Sequence, residues 1–139
     1  MKLEHLSKLC ILFATLLVAG CHDVEPIEIM SARMFFYNNN TAMVGQPGPM
    51  VMVLSPSQIQ FVEGWLNENK AGWESHNPLA TLLPHWCMEL TEKSGKVVGF
   101  CRYGEKVVLR DLGTQVEKSL SAQDDSLFIQ NIEVAKSKE

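Results

Sequence analysis

Nowhere in its 139 residues does the chain gather lysine or arginine into a run, and that absence removes whole classes of partner. Nucleic acid and anionic lipid surfaces both recruit proteins through clustered cations, whereas here 12 basic residues face 16 acidic ones, a net charge of −4. No apolar run is long enough to span a bilayer: Leu9 to Ala19, broken by Thr15, would cover roughly 16 Å as a helix, about half the hydrocarbon thickness. There is no glycine-rich phosphate loop, no calcium-loop spacing, no C-x-x-C pair and no Gly-x-Ser-x-Gly elbow, and neither repeats nor low-complexity stretches occur. On these grounds no catalytic residue, metal ligand or cofactor site is assigned.

What is present begins at the amino terminus. Lys2 and Lys8, diluted by Glu4, precede the apolar run, and small Ala19 and Gly20 lead into Cys21, which is the layout of an export signal over residues 1–20. The stretch Leu17-Val18-Ala19-Gly20-Cys21 resembles the lipobox of bacterial lipoprotein precursors. That resemblance implies a Cys21 thiol carrying diacylglycerol, a removed leader and an acylated new amino group, several acyl chains together holding the protein on a membrane. An ordinary cleaved signal followed by a chance cysteine is the competing reading. His22, rather than Asp, follows the cysteine, which by the same resemblance favours the outer over the inner membrane, with the protein facing the periplasm.

Without its leader the chain has 119 residues of 139, one domain's worth, and loses two lysines and one glutamate, leaving a charge of −5. Residues 21–26 read as a lipidated cysteine with a short tether, reaching about 17 Å from His22 to Pro26, and residues 27–139 as a single α+β domain. A tether this short implies a partner or substrate that is itself at, or delivered to, the membrane surface.

Cys10 leaves with the leader and Cys21 takes lipid, so Cys87 and Cys101 remain together in an oxidising setting. Trp86 to Thr91 and Lys96 to Tyr103 flank Lys93-Ser94-Gly95, a hairpin loop with glycine where a left-handed residue is needed. Closing that hairpin on Glu92 opposite Lys96 puts Cys87 opposite Cys101 at a non-hydrogen-bonded pair, about 4.5 Å apart and within disulfide reach. The same register gathers Met88, Leu90, Val98 and Phe100 on the core side. Zinc held by His85, Cys87, Cys101 and His76 is the competing use of these sulfurs.

The expected architecture is an antiparallel sheet of about five strands with one or two helices on one face. Ile27 to Tyr37 alternates as a strand, with Met30, Ala32, Met34 and Phe36 on one side; Thr41 to Val44 and Met50 to Leu54 follow after turns. Ser55 and Gln58 form a capping box, with Pro56 at the first helical position and Leu54 and Ile59 as a staple. The helix turns Ile59, Val62 and Leu66 inward, widened by Phe61 and Trp65, and stops near Gly72. Trp73 to Pro84 reads as connection, Gly104-Glu105 as a turn into a third meander strand, and Ser121 with Asp124 as the cap of a last helix that competes with a strand.

For a working surface, Trp73, His76, His85 and Trp86 are the candidates, since long loops carry function and tryptophan dominates interface energies. The competing reading has both tryptophans closing the core. Glu63, Glu68, Glu89, Glu92, Asp124 and Asp125 read as solvated charge, and the methionines (Met30, Met34, Met43, Met50, Met52, Met88) as core. In build, though in no residue motif, the chain looks like small lipoproteins that neutralise a toxin or hydrolase delivered to the bacterial envelope. A non-enzymatic envelope binding protein with a protein partner is therefore the expectation. A structural accessory of an envelope assembly and an uncharacterised periplasmic hydrolase are the alternatives, the last requiring a deep polar pocket that joins His76 or His85 to carboxylates.

Overall fold

The computed structural model describes residues 21–37, 50–76, 83–111 and 113–134. The expected leader over residues 1–20, the expected strand Thr41 to Val44 with the turns on either side of it, part of the connection before Leu83, and Ala135 lie outside the described residues. The fold is α+β: one antiparallel sheet, with two helices against one face. In chain order the strands are β1 (Cys21–His22), β2 (Ile29–Phe36), β3 (Met50–Val53), β4 (Trp73–Ser75), β5 (Trp86–Glu92), β6 (Val97–Tyr103), β7 (Lys106–Asp111) and β8 (Thr114–Ser119). Helix α1 (Pro56–Glu68) follows β3, and α2 (Ala122–Phe128) follows β8 and widens into a π turn over Ile129–Glu133. Spatially the order is β1-β4-β8-β7-β6-β5-β2-β3.

That order dictates curvature. β1 and β2 stand six strand spacings apart, roughly 29 Å on a flat sheet. The connection from His22 to Ile29 spans at most about 25 Å fully extended. The sheet must therefore curl, and residues 23–28 cross its open side as a strap.

Local signals act as expected at both helix starts. The Ser55 side chain accepts from the Gln58 backbone while Gln58 returns a bond to Ser55 N–H at 2.8 Å, and Ser121 Oγ accepts from Asp124 N–H. Leu54 and Ile59 both join the core. The last element is helical, with Phe128 and Ile132 fully buried. Helix α1 gives Val62, Trp65 and Leu66 to the concave core, which also holds Ala32, Met34, Phe36, Met88, Leu90, Val98, Phe100 and Val116. Phe128 is the hub of an aromatic cluster: its ring lies 5.1 Å from Phe61, 5.2 Å from Trp65, 5.9 Å from Trp86 and 6.0 Å from Phe100.

The β5–β6 hairpin has the expected register. Cys87 faces Cys101 with Cα atoms 4.0 Å apart and the sulfurs are bonded to each other, so neither serves as a zinc ligand. Tyr103 pairs with Lys106 and Leu109 with Phe100, completing the meander.

The expected count of five strands is too low. β8 continues the meander beyond β7, β4 docks on β8, and β1 docks on β4. In β8 only Val116 is buried, so no alternation announces the strand, and β1 and β4 are too short to show a period. Trp73–Ser75 is thus sheet rather than the start of a loop. A second correction concerns Met30. A bulge between Ile29 and Ser31 shifts the phase of β2, so Ile27, Ile29, Ala32 and Met34 all face inward and Met30 is exposed. Met50, at the sheet edge, is also exposed rather than core.

Candidate functional site

Cys21 is exposed, its thiol is free, and it opens β1 opposite Glu74. The residues after it lie along the domain rather than standing clear as a solvated tether. His22 Nε2 is 3.1 Å from Ser75 Oγ, and Val24 N–H donates to the Lys70 carbonyl at 2.8 Å. Ile27 is clamped at both backbone groups by the Asn67 amide, each bond 2.9 Å, and Ile29 N–H donates to Glu63 Oε2 at 2.6 Å. Glu63 and Asn67 are four residues apart on α1, hence on one face, and that face holds the strap by imitating a neighbouring strand. Glu63 is consequently a structural acceptor rather than free solvated charge.

Beneath the strap lies a cavity of about 410 Å³. Its apolar wall comes from Ile27, Leu66, Val98, Leu109 and Val116, and its rim from Asp23, Glu25, Glu92, Asp111 and Lys96. Lys96 reaches Asp111 Oδ2 at 2.5 Å and Glu92 Oε1 at 4.0 Å. The hydrogen bond to Asp111 is the main cause that holds the Lys96 ammonium above its ordinary pKa, outweighing partial desolvation. Asp111 Oδ1 is out of solvent and has no partner.

The four residues expected to form a working surface do not meet. Trp73 and Trp86 are 0 % and 1 % exposed, so both tryptophans belong to the core and present nothing to a partner. Trp73 Nε1–H donates to the Asn69 carbonyl at 2.7 Å and Trp86 Nε1–H to Glu133 Oε1 at 3.1 Å, which lets each indole be buried without an orphaned donor. His85 is exposed just before β5, which three intervening strands separate from β4. His76 continues β4 on the convex face, its ring centroid 5.9 Å from that of Tyr103 and its Nδ1 2.7 Å from Glu117 Oε2. Glu117 also accepts from Lys106 at 2.6 Å; first this bond and then that from His76 hold its carboxyl below the ordinary value of 4.5. His76 thus has a carboxylate partner, but the cavity is lined by neither histidine.

One residue of weight had no reading from sequence. Arg102 points inward and is buried, donating from Nη1 to Glu133 Oε1 at 2.6 Å, from Nη2 to Asp125, and from Nε to the Gly104 carbonyl at 3.1 Å. It fastens α2 and the π turn to the sheet, so Asp125 too has a specific partner. Its only signal in the sequence was an arginine at an inward position of β6, opposite Trp86.

Among the described residues no group of three or more histidine, cysteine, aspartate or glutamate side chains converges as a metal site, and no helix is long and apolar enough to cross a membrane. No protein-family model, curated protein or solved structure matches the chain.

Proposed function

We propose that the chain is an exported lipoprotein of the bacterial envelope, anchored through Cys21, facing the periplasm and acting as a non-enzymatic binding protein. Its destination, read from His22 after the cysteine, is the outer membrane. The partner is a protein, of the kind exemplified by a toxin delivered to the envelope. Export is supported by the Cys87–Cys101 disulfide, and lipidation rests on the resemblance of Leu17-Val18-Ala19-Gly20-Cys21 to a lipobox.

The observation that carries the binding reading is β3. Among the described residues it ends the sheet, pairing with β2 alone. Val53 is 71 % exposed and Val51 54 %, with Met50 exposed beside them and no charge or proline within the strand. Sheet edges are normally blunted against pairing, so an apolar one that no described residue pairs with suits addition of a strand from another protein.

Two measurements test this. Growth with labelled palmitate should label the wild-type protein and leave Cys21→Ser unlabelled; label on the variant overturns the anchor. The partner captured from envelope extract should be lost by about tenfold or more on combining Val51→Lys with Val53→Lys, while far-UV circular dichroism is unchanged. Undiminished capture overturns the role of β3. A deletion strain killed by its siblings supports the neutralising role, whereas envelope defects without competitors point to a structural accessory.

A further inference from the structure

We propose that the cavity under the strap binds a small amphipathic organic cation, its ammonium or guanidinium head against the carboxylates of Asp23, Glu25 and Asp111 and its apolar body on Leu66, Val98 and Val116. This goes beyond the partner-binding reading and does not depend on β3 or on lipid.

Three features of the cavity select that chemistry. Its volume, about 410 Å³, falls in the range of small-molecule sites, too large for a packing defect. Its wall is aliphatic, so the occupant must offer apolar surface to gain from leaving water. Its rim carries four carboxylates, Asp23, Glu25, Glu92 and Asp111, against one lysine, and that lysine is already shared between Asp111 and Glu92. An anionic head would meet uncompensated negative charge. A neutral head would leave the net negative charge of the rim unanswered, whereas a cationic head offsets it and donates hydrogen bonds to the carboxylates. The strap contributes Asp23 and Glu25 from one side while β5 and β7 contribute Glu92 and Asp111 from the other, so the head is flanked by carboxylates from separate segments of chain.

The test is titration calorimetry of the full-length chain held in phosphatidylcholine vesicles, with empty vesicles as blank. Octylammonium, octanoate and octanol are compared because they share one tail. Octylammonium should bind saturably, octanol about tenfold more weakly, and octanoate without detectable saturation. Asp23→Asn combined with Glu25→Gln, both on the exposed strap where the fold does not depend on them, should weaken octylammonium about fivefold. Val116→Phe, which fills the wall, should abolish binding; should that variant unfold, the strap variant still decides. The assignment fails if octanol or octanoate binds as tightly as octylammonium, if the strap variant binds octylammonium unchanged, or if octylammonium shows no saturable heat.

Discussion

The two faces of the sheet are built from the same strands by different physics. On β5, Trp86, Met88 and Leu90 turn to the concave side and are buried in the core, while Cys87, Glu89 and Thr91 turn to the convex side. The concave face is held by non-directional burial, reinforced by the single buried fork of Arg102. The convex face has no second layer among the described residues and relies on directional links: the disulfide, the Arg33–Glu89 pair at 2.5 Å and the His76–Glu117–Lys106 group. Burial is robust to pH and redox state, whereas the convex links are sensitive to both.

The sharpest test of this contrast is Phe128→Ala, which empties the hub of the concave cluster and should cost about 3–5 kcal/mol in urea unfolding. A loss under about 1 kcal/mol would mean that the cluster is not the stabilising centre. Next comes the convex disulfide, which joins residues 14 apart. Replacing both Cys87 and Cys101 by Ala should cost roughly 3 kcal/mol, and reducing the wild type should reproduce that loss. Were removal of the bridge more damaging than Phe128→Ala, the ranking of the two faces would be reversed.

Acid should separate the faces further. Because its folded-state pKa is depressed, Glu117 contributes stability that is intact above its ordinary 4.5 and is lost as pH falls through the lower folded value. Glu117→Gln should therefore differ from wild type at neutral pH and converge with it in acid. A stability difference constant across that range would show that the pairing with Lys106 and His76 contributes nothing. The smallest effect belongs to Arg33→Ala: its partner is solvent-accessible and the arginine side chain is 57 % exposed, so the change should stay under about 1 kcal/mol and shrink further in salt.

Which parts were legible in the sequence follows from where physical signals are local. Capping at Ser55 and Ser121 depends on three-residue spacings, and the hairpin register on a glycine turn that agreed with two cysteines, so these were readable. β8 was hidden because five of its six side chains are not buried, and the bulge in β2 because an inserted residue leaves the composition of a strand unchanged while reversing its phase. The site fared worse. Trp73, His76, His85 and Trp86 are near one another in the chain, but a tryptophan in a short segment reads the same whether it closes a core or meets a partner; only burial separates the two. Strap, cavity and Asn67 clamp depend on contacts across 40 residues, which no local pattern encodes.

The strap also sets how the molecule meets mechanical load. A pull applied at Cys21 is resisted first by the two-residue β1–β4 pairing, next by the Val24 bond to Lys70, and then by the Asn67 clamp on Ile27. These fasteners lie ahead of β2 and engage no core aromatic beyond Trp73. Tension at Cys21 is thus absorbed by a sacrificial seam, which uncovers the cavity before any of the central strands is strained.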